Sequence, residues 1–424
     1  MVEAQRNRGA LRRVTGLARS TPGRLSLSAL LLIVVALLVG AVTAVSVHRR
    51  SAALEALADR SEPLAFAAHE VYRAMADADA TAASAFLSGG AESVALRRRY
   101  EADIAKAAAA LSTATSEITR SPALAGELST LSGQLPVYTG LVETARAYNR
   151  QGTPVGAAYL REASTLMQTR LLPAARELYE VETANVMRDL EDAGSFPWPE
   201  LLLGALSLVA LVVVQRYVTR RTNRVLNPGL VVATALTAVS LLWVLVASAL
   251  VVFHASTSKD EATVVDLLAR ARIATLTARG DETLALVTRG SGESYEAEYV
   301  EADRMLGDLL DRARLLAPTP SVLAAVEHHA RWREVHREVR AVDEAGDHPE
   351  AVALALGRDV EGAAFDALDS ELAEAIGAAR EELTRAIGLA RAALVGAVPA
   401  VVVLAVLAAV SSSLGLWQRL KEYR

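Results

Sequence analysis

"LSLSALLLIVVALLVGAVTAVSV", Leu25–Val47, decides the class of this chain. It carries no charge over 23 residues, and a helix of that length spans the roughly 30 Å hydrocarbon layer of a bilayer. Its apolar core exceeds that of a cleaved signal peptide, so a retained anchor is expected. Three further runs follow, Trp198–Val214, Leu230–Phe253 and Ala392–Leu416. The reading is an all-α membrane protein with four transmembrane helices, at 25–47, 197–214, 230–253 and 392–416.

Charge orients these spans. Segment 1–24 nets +5, the loop 215–229 nets +4 through Arg216, Arg220, Arg221 and Arg224, and the tail 417–424 nets +2. Excess Lys and Arg marks the cytoplasmic side, so both termini and that loop are expected in the cytoplasm of a plasma-membrane protein. Segments 48–196 and 254–391 net −4 and −11 and are expected outside. Arg49 and Arg50 oppose this assignment and are outvoted by the three basic segments.

The rest of the 424 residues is rich in Ala and Leu, with 4% aromatics and a mean hydropathy of +0.26, a composition that favours helix. The absence of cysteine excludes disulfides, thiolate metal sites and Cys nucleophiles. No phosphate-binding glycine loop, nucleophile elbow or kinase signature occurs, and the reading is a non-enzyme without a cofactor.

The order of membrane helix, outer segment and membrane helix occurs twice. "TPGRLSLSAL" from Thr21 matches "NPGLVVATAL" from Asn227. Asp79-Ala80-Thr81 and Gly90 match Asp281-Glu282-Thr283 and Gly292; Glu101-Ala102-Asp103 matches Glu301-Ala302-Asp303. Pro122 matches Pro320 and Gly152 matches Gly346. These matches are collinear and point to an internal duplication.

Turn signals cut each outer segment into four pieces. They are Gly89-Gly90, Ser121-Pro122, Gly152-Thr153-Pro154 and 194–197 in the first, and 290–292, 318–320 and 346–349 in the second. Leu54, Leu57, Ser61, Leu64, Ala68, Val71 and Met75 step by three and four, a bundle seam. Two tandem extracytoplasmic four-helix bundles are therefore expected, at 48–196 and 254–391. Pro173 should bend the fourth helix of the first bundle, because it removes a backbone donor. No breaker separates Pro349 from Pro399, so one helix is expected from the last outer pass into the fourth span, with Pro399 a kink.

Few residues stand out as chemical. His328, Trp332 and His336 share a helical face, but lack the partners and spacing of a metal site. Arg216, Arg220, Arg221 and Arg224 could meet anionic lipid or a cytoplasmic partner. The spans read as uncharged in their cores, which argues against an ion path. Small residues at Ala36, Gly40 and Ala44, at Gly396 and Ala400, and at Ala405 and Ala409 allow close helix approach. No residues could be assigned to a ligand, and nothing in the sequence indicates nucleic-acid binding.

The outer segments resemble the four-helix sensor modules of chemoreceptors and histidine kinases. The whole layout, with the stretch "AYLREASTLMQTRLLPAARELY" at 158–179 and only three lysines, is similar to the actinobacterial GlnX family of four-span membrane proteins. That resemblance implies a relay. An amino-acid signal (aspartate, glutamate or glutamine) would arrive through a GlnH-like extracytoplasmic solute-binding lipoprotein and pass to a cytoplasmic PknG-like Ser/Thr kinase. A second copy of the chain is a further partner this reading admits. Two other readings stay open: a direct sensor that binds its ligand within an outer bundle, and a membrane subunit of a transport or secretion complex.

Overall fold

The structure is a computed structural model that describes residues 21–88, 93–116, 124–222, 227–288, 292–356 and 361–421. The turns at Gly89-Gly90 and Ser121-Pro122, nearly all of segment 1–24, and Arg224 lie outside the described residues. Among the described residues there is no strand.

The helices are α1 (Thr21–Ala56), α2 (Glu62–Leu87), α3 (Val94–Ser116), α4 (Ala125–Arg150), α5 (Val155–Leu166), α6 (Leu172–Gly194) and α7 (Trp198–Thr222). The second half contributes α8 (Pro228–Val287), α9 (Glu293–Leu316), α10 (Pro320–Glu344), α11 (His348–Leu356), α12 (Glu361–Leu394) and α13 (Ala397–Lys421). Short π-helical segments, Leu57–Ser61 and Met167–Leu171, join α1 to α2 and α5 to α6. Each ends two residues before a proline, Pro63 or Pro173. The wider turn places the amide of Leu172 on the Met167 carbonyl and that of Glu62 on the Leu57 carbonyl. The helix thus widens just upstream of the missing proline donor.

The chain forms two compact units. The smaller contains 1–55, 190–256 and 386–424; the larger contains 56–189 and 257–385. Four helical stretches are long and apolar enough to cross a membrane, consistent with a membrane protein. Each overlaps one of the four apolar runs read from the sequence.

In the smaller unit, helices approach through small residues. A Cβ on Gly40 would overlap that of Ala405, and one on Gly229 would stand 2.5 Å from the Gly415 Cα. Asn227 Nδ2 donates to the Gly415 carbonyl at 2.8 Å across the same contact. The interior is more polar than expected. A cavity of about 30 Å³ is lined in part by Thr43, Glu200, Ser207, Thr237 and Ser240. Glu200, within the expected second span, has one buried oxygen without a partner.

The fourth span corrects the sequence reading. Helix α12 ends at Leu394 and α13 begins at Ala397, with Gly396 at φ 74° between them. A left-handed residue ends an α-helix, so no single helix runs from Pro349 to Leu416. Pro399 stands in the first turn of α13, where its missing donor costs nothing. It is a helix start rather than a kink.

In the larger unit each half passes back and forth in helix, with the described turns at the expected places. Gly152 and Gly346, matched in the sequence, both adopt positive φ, 69° and 90°. The halves are not separately cored. One hydrophobic cluster joins Val71, Met75, Leu131, Tyr138 and Met167 with Leu268, Leu306, Trp332, Phe365 and Leu372. The cause lies in α2 and α8. Residues 71–85 and 278–286 are buried on every face, and the seven alanines of the first stretch let neighbours close in all round. Ion pairs add to the join. Arg380 meets Glu62 at 2.6 Å and Arg99 meets Asp366 at 3.1 Å. The Tyr179 hydroxyl donates to Asp266 at 2.6 Å.

Candidate functional site

Asp77, Thr81, Ser84 and Ser88 step by four, three and four along α2, so they share one face. That face lines a cavity of about 330 Å³, within the range of small-molecule pockets. Helix α3 adds Leu96 and Arg99, α8 adds Arg279, α11 ends on it at Leu356, and α12 supplies Phe365 and Asp366. The walls thus come from both halves of the larger unit.

Arg99 organises the mouth. Its Nη2 donates to Asp77 at 3.0 Å and its Nη1 to Asp366 at 3.1 Å. Burial alone would lower its pKa; Asp77 and Asp366 outweigh that and raise it. Asp77 is 7% exposed and Asp366 62%, so one partner is fixed inside and the other stands at the rim. Arg279 is buried, bonded to Glu282 at 2.7 Å and to the Ala355 carbonyl at 3.0 Å. Both guanidinium groups flank the Phe365 ring, at 5.9 and 5.4 Å from its centre. Beneath Asp77, Arg73 bonds Glu70 at 2.6 Å and approaches Asp103 at 3.7 Å.

The opposite face of α2 carries Asp79, whose oxygens accept from Tyr138 at 3.2 Å and Ser164 at 2.8 Å. Burial raises its pKa to about 6, against the pull of those two donors. Its sequence match, Asp281, is 1% exposed and faces the Gln168 amide rather than a hydroxyl pair. Burial, then the charge of Glu298, raise Asp281 to about 8; the nearby Gln168 amide opposes the rise and Asp79 adds to it.

The histidines are structural. The buried face of α10 holds His329, Trp332 and His336, one register away from the His328 grouping read in the sequence. His336 stacks on Tyr299 and bonds Glu282 at 2.6 Å and Glu296 at 3.2 Å. Burial draws its pKa down, and the two carboxylates outweigh that, to about 9. Among the described residues no cluster of three or more His, Asp or Glu has metal-site geometry.

Of the residues singled out from sequence, Arg216 and Arg220 lie exposed near the end of α7, and Arg221 lies in the same helix. Pro173 follows its π segment and Pro399 opens α13. Arg216, Arg220 and Pro399 belong to the smaller unit and Pro173 to the larger. Asp77, Arg99, Arg279 and Asp366 were missed, because residues far apart in the chain carry no shared motif.

The comparison that bears on this unit is a match to a family. Residues 53–191 match the family model of the actinobacterial sensor domain. That span contains α2 through α5 and most of α6, and hence the Asp77 face and Arg99. No curated protein and no solved structure matches the chain. The sensor-domain match supports a role in sensing or signalling.

Proposed function

We propose that the protein is a non-enzymatic transmembrane sensor whose larger unit, outside the cell, receives the signal. The observation that carries this is α8. One uninterrupted helix of 60 residues contributes its first part to the membrane-type unit and its last part to the unit containing the sensor-domain match. A displacement at Arg279 or Asp281 acts on the same helix that contains the third expected span. The paired positive-φ glycines and the matched Asp79 and Asp281 support a duplicated origin of the two bundles.

In the finer reading, the signal is an amino acid carried by a GlnH-like solute-binding lipoprotein, and the output is a cytoplasmic PknG-like Ser/Thr kinase. Arg216 and Arg220 fit contact with an acidic cytoplasmic surface or anionic lipid. Crosslinking in intact cells, followed by purification of the full chain, tests it. Recovery of an extracytoplasmic solute-binding protein supports the relay; its absence, with a small molecule binding the pure protein, favours direct sensing. The polar cavity is the specific observation that favours direct sensing, since a docking surface for a protein needs no such interior space.

A further inference from the structure

We propose that the 330 Å³ cavity between the two halves of the larger unit binds a small zwitterion, carrying one carboxylate and one ammonium, which inserts into the Arg99–Asp366 ion pair. The proposal rests on the direct-sensing reading and names its ligand class.

The walls present Arg99 and Arg279 against Asp77 and Asp366, a balanced set. A ligand with net charge would bring an uncompensated charge into this set, which is costly where solvent is scarce. An apolar ligand would strip water from guanidinium, carboxylate and hydroxyl groups without pairing them. A molecule of zero net charge with separated charges meets both conditions.

The geometry shows where it would sit. Of the two bonds Arg99 makes, the inner one to Asp77 is shielded and the outer one to Asp366 stands at the rim. An exposed ion pair contributes little, so a ligand carboxylate can take the place of Asp366 on Nη1 at small cost. The freed Asp366 carboxylate then accepts the ligand ammonium. Arg279 is less replaceable, being held by Glu282 and a backbone carbonyl. Phe365, Leu96 and Leu356 offer apolar surface to the hydrocarbon part, and Thr81 and Ser84 offer hydroxyls.

The ligand would thereby extend a bond that already joins α3 of the first half to α12 of the second. Occupancy would alter the spacing of the halves, a differential contact of the kind a sensor requires.

The test uses the full chain in lipid nanodiscs. Calorimetric titration with each of the common L-amino acids at pH 7 is repeated with the N-acetyl and the carboxamide derivatives of any that bind. Expected are saturable binding of at least one amino acid, loss of tenfold or more in affinity for both derivatives, and a similar loss in Asp366→Asn. Asp366 is a rim residue, so that variant should keep the wild-type circular dichroism and melting temperature. Equal binding of the N-acetyl derivative would overturn the class in favour of a simple anion, with direct sensing intact. Binding unaffected by Asp366→Asn would overturn the site. No binding by any amino acid would overturn the proposal, while the crosslinking experiment decides sensing through a partner independently.

Discussion

Asp281 occupies the place in the second half that Asp79 occupies in the first, 202 positions later, yet Asp79 accepts from two hydroxyls and the donor facing Asp281 is the Gln168 amide. The two carboxylates also interact: after burial and the charge of Glu298, Asp79 adds to the rise of Asp281. An acid whose folded pKa lies above its unfolded value of 3.8 stabilises the fold fully below that value. The contribution fades as pH rises through the folded pKa, here about 6 for Asp79 and about 8 for Asp281. The protein should therefore lose stability between roughly pH 4 and pH 9. Asp281→Asn removes the ionisation and keeps the shape. It should match wild type near pH 4 and exceed it by about 2 kcal/mol or more at pH 9, since each tenfold change in a protonation equilibrium corresponds to about 1.4 kcal/mol. Urea titrations at matched pH read this directly, and cancel the parallel loss expected as His336 deprotonates near pH 9. A variant less stable than wild type at pH 9 would show that the carboxylate is stabilised by something else.

How much of this was visible beforehand follows from the kind of signal each feature leaves. Leu25–Val47 and its three counterparts are legible because bilayer thickness imposes a length and a composition. The turns at Gly152 and Gly346 are legible because a positive φ excludes most other residues. Fusion of the halves was not legible. It depends on α2 and α8 being buried on nearly all sides, and a run such as "MADADATAASAF" offers no apolar stripe to read. The break at Gly396 was missed because a lone glycine reads as a weak helix residue unless its φ is known. The cavity lies beyond sequence reading altogether, since Asp77 and Asp366 share a partner only in three dimensions.

The shared core makes a prediction about the matched segment. Expressed alone, 53–191 keeps its helical sequence but exposes the face of α2 that packs toward α8 and α12. It should be strongly helical by far-ultraviolet circular dichroism, yet bind a hydrophobic dye and melt broadly. Adding segment 257–385 should suppress dye binding and sharpen the transition. A sharp, dye-free melt of 53–191 alone would mean that the first bundle folds independently of the second.

Close approach in the smaller unit gives a second test of packing. At Gly229 a methyl group would press on the Gly415 backbone and the Ser411 carbonyl, each 2.5 Å away, neither of which can rotate aside. Gly229→Ala should cost about 1–3 kcal/mol, the usual range for overpacking, and lower the melting temperature in detergent. Gly133→Ala, with nothing within 4 Å of the added carbon, serves as the comparison and should be neutral or stabilising. Equal behaviour of the two variants would refute the α8–α13 contact.

Orientation can be read with single cysteines, because the chain has none of its own. A cysteine replacing Thr222, at the end of α7, should react with an impermeant maleimide only after the membrane is opened. One replacing Gly133, in α4, should react in intact cells. Labelling of position 222 from outside would reverse the topology drawn from arginine counts.

The last prediction concerns transmission. With α12 and α13 separated at Gly396, α8 joins the whole of an expected span to its extension in the larger unit as one unbroken helix, and the division falls between Ser256 and Thr257. Inserting Gly-Gly there rotates everything downstream by about 200°, since each residue turns the helix by about 100°. Each glycine costs about 1 kcal/mol of helix propensity, too little to unfold either unit. The variant should therefore insert and keep its input, whether a bound small molecule or a captured solute-binding protein. If the proposed relay holds, it should lose the coupling between that input and the cytoplasmic output. The same insertion between Val395 and Gly396 falls in an existing turn and should disturb that coupling less. If both variants bind normally and the Ser256 insertion leaves the response intact, α8 does not transmit the signal. Transmission would then have to pass through α1, α7 or α13, each of which meets a break, a π segment or a turn on its way to the larger unit.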